Sequence, residues 1–346
     1  MQDILKLQQK IVPELMELLE KRYNILRAIY YNQPVGRRIL ANHLEMGERV
    51  VRTEINFLKK QNLINISTPG MTVTSEGEEI IDRLKDFIHE IKGLSEIEEA
   101  LKQALKIKKV VIVPGDVEED HTVMNELGRT AAQYVRGILK DNTIIAVTGG
   151  TTIKEVIDNL SYIPYFKNTI VVPARGAMER KVETEANTLA ASLANKLGAT
   201  YKLLNVPENL SDLAFSTILN EKSVKNVLNI LHEANVVIYG IGRADEMSTR
   251  RGLSQEETSI ILEKGSVGEA FGYYFNRRGE VVYSTPSIGL KIEDIRKLEN
   301  LIAVAGGKSK ADAIASVQLN NEKNILITDE GTAMEILNMA NDNYDN

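Results

Sequence analysis

Two stretches of this chain place glycines just ahead of hydroxyl or amino side chains, where an apolar run gives way to a helical pattern. The first is Ala146-Val147-Thr148-Gly149-Gly150-Thr151-Thr152-Ile153, and the second is Ala305-Gly306-Gly307-Lys308-Ser309-Lys310-Ala311. Glycine lets backbone N–H groups close on an anion, and a helix N-terminus adds a partial positive charge. Thr151 and Thr152 can add hydroxyl donors. Arg175, in Ala174-Arg175-Gly176, ends another apolar run, and Arg243, Arg250 and Arg251 follow a Gly240-Ile241-Gly242 turn. Cations gathered from several strand ends onto helix N-termini suit a small phosphorylated ligand. A single glycine-rich turn is as readily a tight strand-to-helix connection, so the weight lies in the convergence. The chain has no GxxxxGK[S/T], and no GxGxxG opening a βαβ unit with an acidic residue some way on, so neither an ATP-binding P-loop nor a dinucleotide site is supported.

The elements that must position these groups are legible from about residue 107. Six β-branched runs end in Gly or Pro, and each is followed by a helix-like stretch. They are KVVIVPGD (109–116), TIIAVTGG (143–150), TIVVPARG (169–176), NVVIYGIG (235–242), LIAVAGG (301–307) and NILITDEG (324–331). Continuous apolar strands alternating with helices predict a parallel, Rossmann-like α/β sheet covered on both faces. Ligands of such sheets bind beyond the carboxyl ends of the strands.

Residues 1–92 read differently, as a mostly helical module with a winged helix-turn-helix order. A first helix is expected over 3–20 and another over Tyr23 to Tyr31. Pro34-Val35-Gly36 opens a third, with Ile39, Leu40 and Leu44 on one face. Glu45-Met46-Gly47 makes a short turn, for which Gly47 has the backbone freedom. The next helix, about 48–61, is expected to turn Val50, Val51, Ile55 and Leu58 inward and Glu48, Arg49, Arg52, Thr53 and Asn56 outward. Arg pairs bidentately with guanine and Asn with adenine in a major groove. Arg37, Lys59 and Lys60 suit phosphates better than bases. NISTPGMTVTSEG reads as two short strands about Pro69-Gly70, the wing, with Ser75 and Glu78 placed to cap the following helix. An apolar stripe of Ile81, Leu84, Ile88, Ile91, Leu94, Ile97, Leu101 and Leu105 then suits either subunit pairing or packing on the next domain. The domain boundaries so read are 1–92 for the DNA-binding part with its connecting helix and 93–346 for the effector-binding part.

Charge and composition fit two partners of one sign. The 346 residues carry a net charge of −6, yet residues 1–92 hold 14 Lys+Arg against 13 Asp+Glu. The local field governs contact with a polyanion, so an acidic chain with a basic stretch can bind double-stranded DNA. Cysteine is absent, which excludes disulfides, thiol catalysis and iron–sulfur clusters. Four scattered histidines, His43, His89, His121 and His232, make no metal site. No apolar run reaches the roughly 18 residues of a membrane span, and the N-terminus lacks a signal peptide's apolar stretch, so a cytoplasmic location without membrane contact is expected. The Asn/Asp-rich tail is expected to fray.

VTGGTT, VPARG, GIGRADEMSTRRG, GSVGEAFGYYFNRRG and AGGKSKADAI, in this order behind a winged helix, resemble the SorC family of bacterial transcription regulators. The resemblance covers nearly the whole chain. It implies a repressor of glycolytic genes that binds operator DNA as a homo-oligomer, dimer or tetramer. The repressor would be relieved by an allosteric ligand, fructose 1,6-bisphosphate or a related sugar phosphate, with no other cofactor and no catalytic residue. It further implies that Gly149, Gly150, Thr151 and Thr152 line one phosphate, that Arg175, Arg250 and Lys310 supply cations, and that Glu269 accepts hydrogen bonds from sugar hydroxyls. The same domain is similar in fold to sugar-phosphate isomerases and to glucosamine-6-phosphate deaminase, which keeps an enzyme as the rival. In those deaminases the Gly-Ile-Gly turn runs into a catalytic acid/base pair containing His. Here it runs into Arg243-Ala244-Asp245-Glu246, leaving Asp245 or Glu269 as the alternatives for proton transfer.

Overall fold

The computed structural model describes residues 10–162, 166–176, 181–206, 212–319 and 322–342. Residues 3–9 of the expected first helix and the tail beyond 342 lie outside them. The chain forms two compact units, Met1–Ile97 with Val117–Asn125, and Glu98–Asp116 with Glu126–Asn346.

In the first unit, α1 (Pro13–Asn32) is one continuous helix, where the sequence suggested two. Lys21 and Arg22, between the two expected spans, are themselves helical. Pro13 sits in the first turn, where its missing N–H costs nothing. Helix α2 (Arg37–His43) and α3 (Glu48–Lys60) follow, then β1 (Ile64–Ser67) and β2 (Gly70–Val73) pair antiparallel as the wing. Helix α4 (Ser75–Ile91) closes the unit, and its N-cap is Thr74 rather than Ser75. The Thr74 hydroxyl accepts from the Gly77 amide at 3.1 Å. Tyr23, Ile25, Leu26, Ile29, Leu40, Val51, Ile55, Leu58, Ile64, Met71, Ile81 and Ile88 form one buried core. The apolar stripe of 81–105 does not belong to one helix. It breaks at Gly93, which takes φ 63°, and resumes in α5 (Leu94–Leu105), where Leu94 and Leu101 are fully buried. The turn between α2 and α3 puts Glu45, not Gly47, in the left-handed region (φ 49°), and Gly47 serves as an extended N-cap of α3.

The second unit is built on a seven-stranded sheet of β3 (Lys109–Val113), β4 (Ile144–Val147), β5 (Ile170–Pro173), β6 (Thr200–Tyr201), β7 (Val236–Tyr239), β12 (Asn300–Val304) and β13 (Asn324–Asp329). All pairs are parallel, in the order β3-β13-β12-β7-β4-β5-β6. The six runs read from sequence are six of these strands. The two-residue edge strand β6 is too short to leave a periodic signal. From β4 the chain winds outward through β5 to β6, returns beside β4 as β7, and winds the other way through β12 and β13. The order therefore reverses between β4 and β7, which is where an open α/β sheet leaves its ligand crevice. A second sheet of β8 (Gly242–Arg243), β9 (Ser266–Ala270), β10 (Tyr273–Asn276) and β11 (Val281–Ser284) is antiparallel, in the order β11-β10-β9-β8. It begins directly after the Gly240-Ile241-Gly242 turn and so carries its residues to the same rim.

Candidate functional sites: a DNA-reading face and an anion cleft

The outward face of α3 carries Glu48, Arg49, Arg52, Thr53 and Asn56, all exposed, while Val51, Glu54, Ile55 and Leu58 are buried. Arg37 opens α2 and is exposed. Glu48 meets Arg38 at 3.3 Å, an exposed pair that links the start of α3 to α2. The Thr53 hydroxyl donates to the Arg49 carbonyl at 3.0 Å, leaving its oxygen lone pairs for a donor on a base. Two expectations fail here. Val50 is 43% exposed and Ile39 is 62% exposed, because each lies off the stripe that its helix turns to the core. Beneath the reading face, Glu54 accepts from Lys21 and Arg22, each at 2.8 Å. Burial raises the Glu54 pKa, but the hydrogen bonds and charges of Lys21 and Arg22 outweigh it and hold the carboxyl below its ordinary value. The Arg22 guanidinium also lies 3.6 Å above the Phe57 ring centre. This network ties α3 to α1, and the opposite face of α3 is exposed.

The second site lies at the reversal between β4 and β7. Thr148 and Gly240, each just past its strand, are knit together: the Thr148 amide donates to Ile238 at 3.1 Å and the Gly240 amide to the Thr148 hydroxyl at 3.3 Å. Gly150 takes φ 120°, which a side chain would resist, and becomes the N-cap of the helix Thr151–Asp158. Four adjacent strands thus deliver their ends to one open cleft. Gly149, Gly150, Thr151 and Thr152 arrive from β4, Arg175 from β5, Arg250 from the helix Ala244–Arg250 beyond β7, and Lys310 from the turn after β12. Glu269 arrives from β9, and all eight residues line the cleft.

The sequence reading grouped Arg243 with these cations, but the structure turns it away. Its guanidinium holds Asp245 at 2.6 Å and does not reach the cleft lining. Asp245 is accordingly held below the usual carboxylate range, first by its Arg243 hydrogen bond. Arg251, grouped with Arg243 and Arg250 in the sequence but not among the cations the resemblance implied, does line the cleft. It is buried and donates to Glu269 Oε1 at 2.5 Å, with Arg175 Nη1 at 3.9 Å on the same oxygen. The Gly272 amide also donates to that oxygen. A Cβ at Gly272 would lie 2.5 Å from Arg175 Nη1, so the turn after β9 needs glycine to let the guanidinium pass. The cleft therefore holds four cations, Arg175, Arg250, Arg251 and Lys310, against two carboxylates, Glu246 and Glu269. Two helix or turn N-termini, at Gly150 and Gly307, open onto the same strand ends. The excess is positive, with one buried carboxylate fixed among guanidiniums, which suits an anion that also carries hydroxyl groups. Ile241, Met247 and Phe271 add apolar surface to the same lining.

A winged-helix module followed by an α/β anion-binding domain defines a class of ligand-responsive DNA-binding regulators. Residues 89–338 match the family described as "Putative sugar-binding domain", and residues 18–88 match "CggR N-terminal DNA binding domain". The chain is 41% identical over 97% of its length to the central glycolytic genes regulator of Bacillus subtilis, of which it covers 99%. It is 42% identical to that of Priestia megaterium at the same coverage. Among solved structures it resembles "the putative SorC family transcriptional regulator from Enterococcus faecalis", with 38% identity, 70% of this chain and 99% of that one covered, and a TM-score of 0.66. The full-length sorbitol operon regulator SorC of Klebsiella pneumoniae shares the fold at 19% identity and a TM-score of 0.64, with 97% of this chain and 99% of that one covered. The chain belongs to the SorC family of transcriptional regulators, in the branch of the central glycolytic genes regulators. It is a regulator and not an enzyme, since its relatives are regulators carrying the same DNA-binding domain. Among the described residues no cluster of His, Asp and Glu could hold a metal ion, and no helix is long and apolar enough to cross a membrane.

Proposed function

We propose that this protein is a cytoplasmic repressor of glycolytic genes that binds its operator as a homo-oligomer and is released by a phosphorylated sugar, fructose 1,6-bisphosphate. The observation that carries the ligand class is the single cleft lined by Thr151, Arg175, Arg250, Glu269 and Lys310 at the β4–β7 reversal. Gly149–Thr152 and Lys310, at the end of the 306–310 turn, enter it from different strands, so a ligand with two phosphates can tie both loops. A monophosphate leaves one set of donors unfilled. Glu269, with one oxygen held by Arg251 and Gly272, orients its carboxylate toward a sugar hydroxyl. Outside, Arg49, Arg52, Thr53 and Asn56 read bases, while Arg37, Lys59 and Lys60 neutralise phosphates.

Release is a linkage: the sugar phosphate shifts the equilibrium only by its differential affinity for the two subunit arrangements, one of which spaces the recognition helices for the operator. Thermal melting with a panel of mono- and bisphosphorylated sugars tests the ligand, since a molecule that binds the folded state raises the melting point with concentration. The bisphosphate should give the largest rise. Equal rises for glucose 6-phosphate and fructose 1,6-bisphosphate would overturn the bisphosphate assignment. Arg52→Ala and Asn56→Ala should weaken operator binding, and wild-type affinity in both would remove α3 from the reading surface.

A further inference from the structure

Six residues other than glycine hold a positive φ among the described residues: Glu45, Asn62, Lys106, Asn142, Asn168 and Phe271. Five are exposed polar residues. Phe271 is the sixth, and it alone is aromatic and buried, at φ 55° and 5% exposure. It occupies the first central position of the two-residue hairpin turn between β9 and β10, with Gly272 at φ 82° behind it and Ala270 paired to Tyr273. That is a turn with both central residues left-handed, which ordinarily favours Asn-Gly, and a bulky side chain at its first position is strained. Strain of this kind persists where the surroundings impose it, and it collects at ligand sites. Here the surroundings are plain. The ring packs on Tyr239 at 5.0 Å between centroids, tilted by 38°, and Tyr239 is itself fully buried with its hydroxyl on Asn324 at 3.0 Å. Phe271 also lines the anion cleft, two residues on from Glu269, and Met247 and Ile241 line the same cleft.

We infer that Phe271 is a specificity-determining residue of the cleft: its ring is held in a strained turn to pack against the carbon skeleton of the ligand. An aromatic face carries partial negative charge and attracts the weakly positive C–H edges of a sugar. The polar groups recognise phosphate and hydroxyl oxygens, but the ring recognises only the carbon frame between them. It thereby separates a sugar phosphate from an inorganic phosphate or pyrophosphate of similar charge. This inference rests on the sugar-phosphate reading above and adds the element that reads the sugar itself.

The test titrates the full-length protein with fructose 1,6-bisphosphate and, separately, with pyrophosphate, in wild type, Phe271→Leu and Phe271→Tyr. Leucine keeps an apolar side chain under the same backbone constraint and removes the ring, while tyrosine keeps the ring. Phe271→Leu is expected to weaken the sugar bisphosphate about three- to tenfold and to leave pyrophosphate within twofold, while Phe271→Tyr stays near wild type for both. Should the leucine variant fail to fold, Phe271→Asn, which suits left-handed backbone, takes its place with the same expectation. Equal weakening of both ligands would show that the ring only props the cleft, and unchanged affinity for both would show that it contacts nothing; either overturns the inference. The wild-type titrations stand apart: pyrophosphate binding without sugar-phosphate binding would sink the functional reading itself, whatever the variants do.

Discussion

Replacing Arg251 by methionine removes one half of a buried ion pair and leaves the other half in place. The side chains of Arg251 and Glu269 are 2% and 4% exposed, and they meet at 2.5 Å. Breaking such a pair from one side costs about 3–5 kcal/mol, because the remaining charge is stranded away from water. Glu269 would keep the Gly272 amide and Arg175 at 3.9 Å, which places the expected loss near the lower end, about 3 kcal/mol. In urea this lowers the midpoint of the effector-domain transition by about 1 M. The decisive variant is the double one. Arg251→Met with Glu269→Gln no longer strands a charge, so it should be more stable than the sum of the single losses predicts, by about 1.5 kcal/mol or more. Urea titration followed by far-UV circular dichroism, with the two units fitted as separate transitions, reads all four corners of the cycle. Additive losses, or a single-variant loss below about 1 kcal/mol, would refute the argument that Glu269 depends on Arg251 for its place in the cleft.

Two further outcomes follow from the DNA-binding unit. Val50 is 43% exposed and Val51 fully buried, so Val50→Ala should change stability by less than about 0.5 kcal/mol. Val51→Ala should cost about 1–3 kcal/mol by thermal melting, and comparable costs would show that α3 is rotated from the orientation described. Glu54 has its pKa held below the ordinary 4.5 by Lys21 and Arg22, against the upward push of burial. Its contribution to stability is therefore complete above the usual glutamate range and is lost as the pH falls through its depressed value. Melting points measured from pH 6 down to about 3 should fall less steeply in Glu54→Gln than in wild type over that window, and parallel curves would contradict the ion network.

What the sequence made legible follows from where its signals are strong. The six buried strands announced themselves as β-branched runs closed by Gly or Pro, and the glycines that end them marked the cleft. Gly149–Thr152, Arg175, Arg250, Glu269 and Lys310, drawn from separate segments between residues 149 and 310, do line one cavity. The antiparallel sheet was not legible. Ser266–Ala270 is five residues long and holds Gly268, Tyr273–Asn276 is four residues long, and both are too short for a period of two to show. With that sheet unseen, the turn that strains Phe271 was unseen too. Arg251 was grouped with Arg243 and Arg250 but given no role of its own, because nothing in the spacing says that one of two adjacent arginines on a helix end is buried against Glu269 and the other exposed. Arg243 was misplaced for the reciprocal reason: its carboxylate partner two residues on, Asp245, is a local competitor that a strand-end argument ignores. Val50 and Ile39 went wrong through helical phase, since a residue one position from the buried stripe sits at its margin.

The central claim is that one cleft, filled by a doubly phosphorylated sugar, governs the grip of a separate winged helix on DNA. Fluorescence anisotropy of a labelled operator duplex from upstream of the regulated genes, titrated with full-length protein at fixed salt, measures it directly. Fructose 1,6-bisphosphate at millimolar concentration should weaken or rearrange the wild-type complex and leave the Lys310→Ala and Thr151→Val complexes as they are without ligand. An operator affinity and complex size that do not respond to the sugar bisphosphate in wild type, or that respond equally in all three proteins, would contradict it.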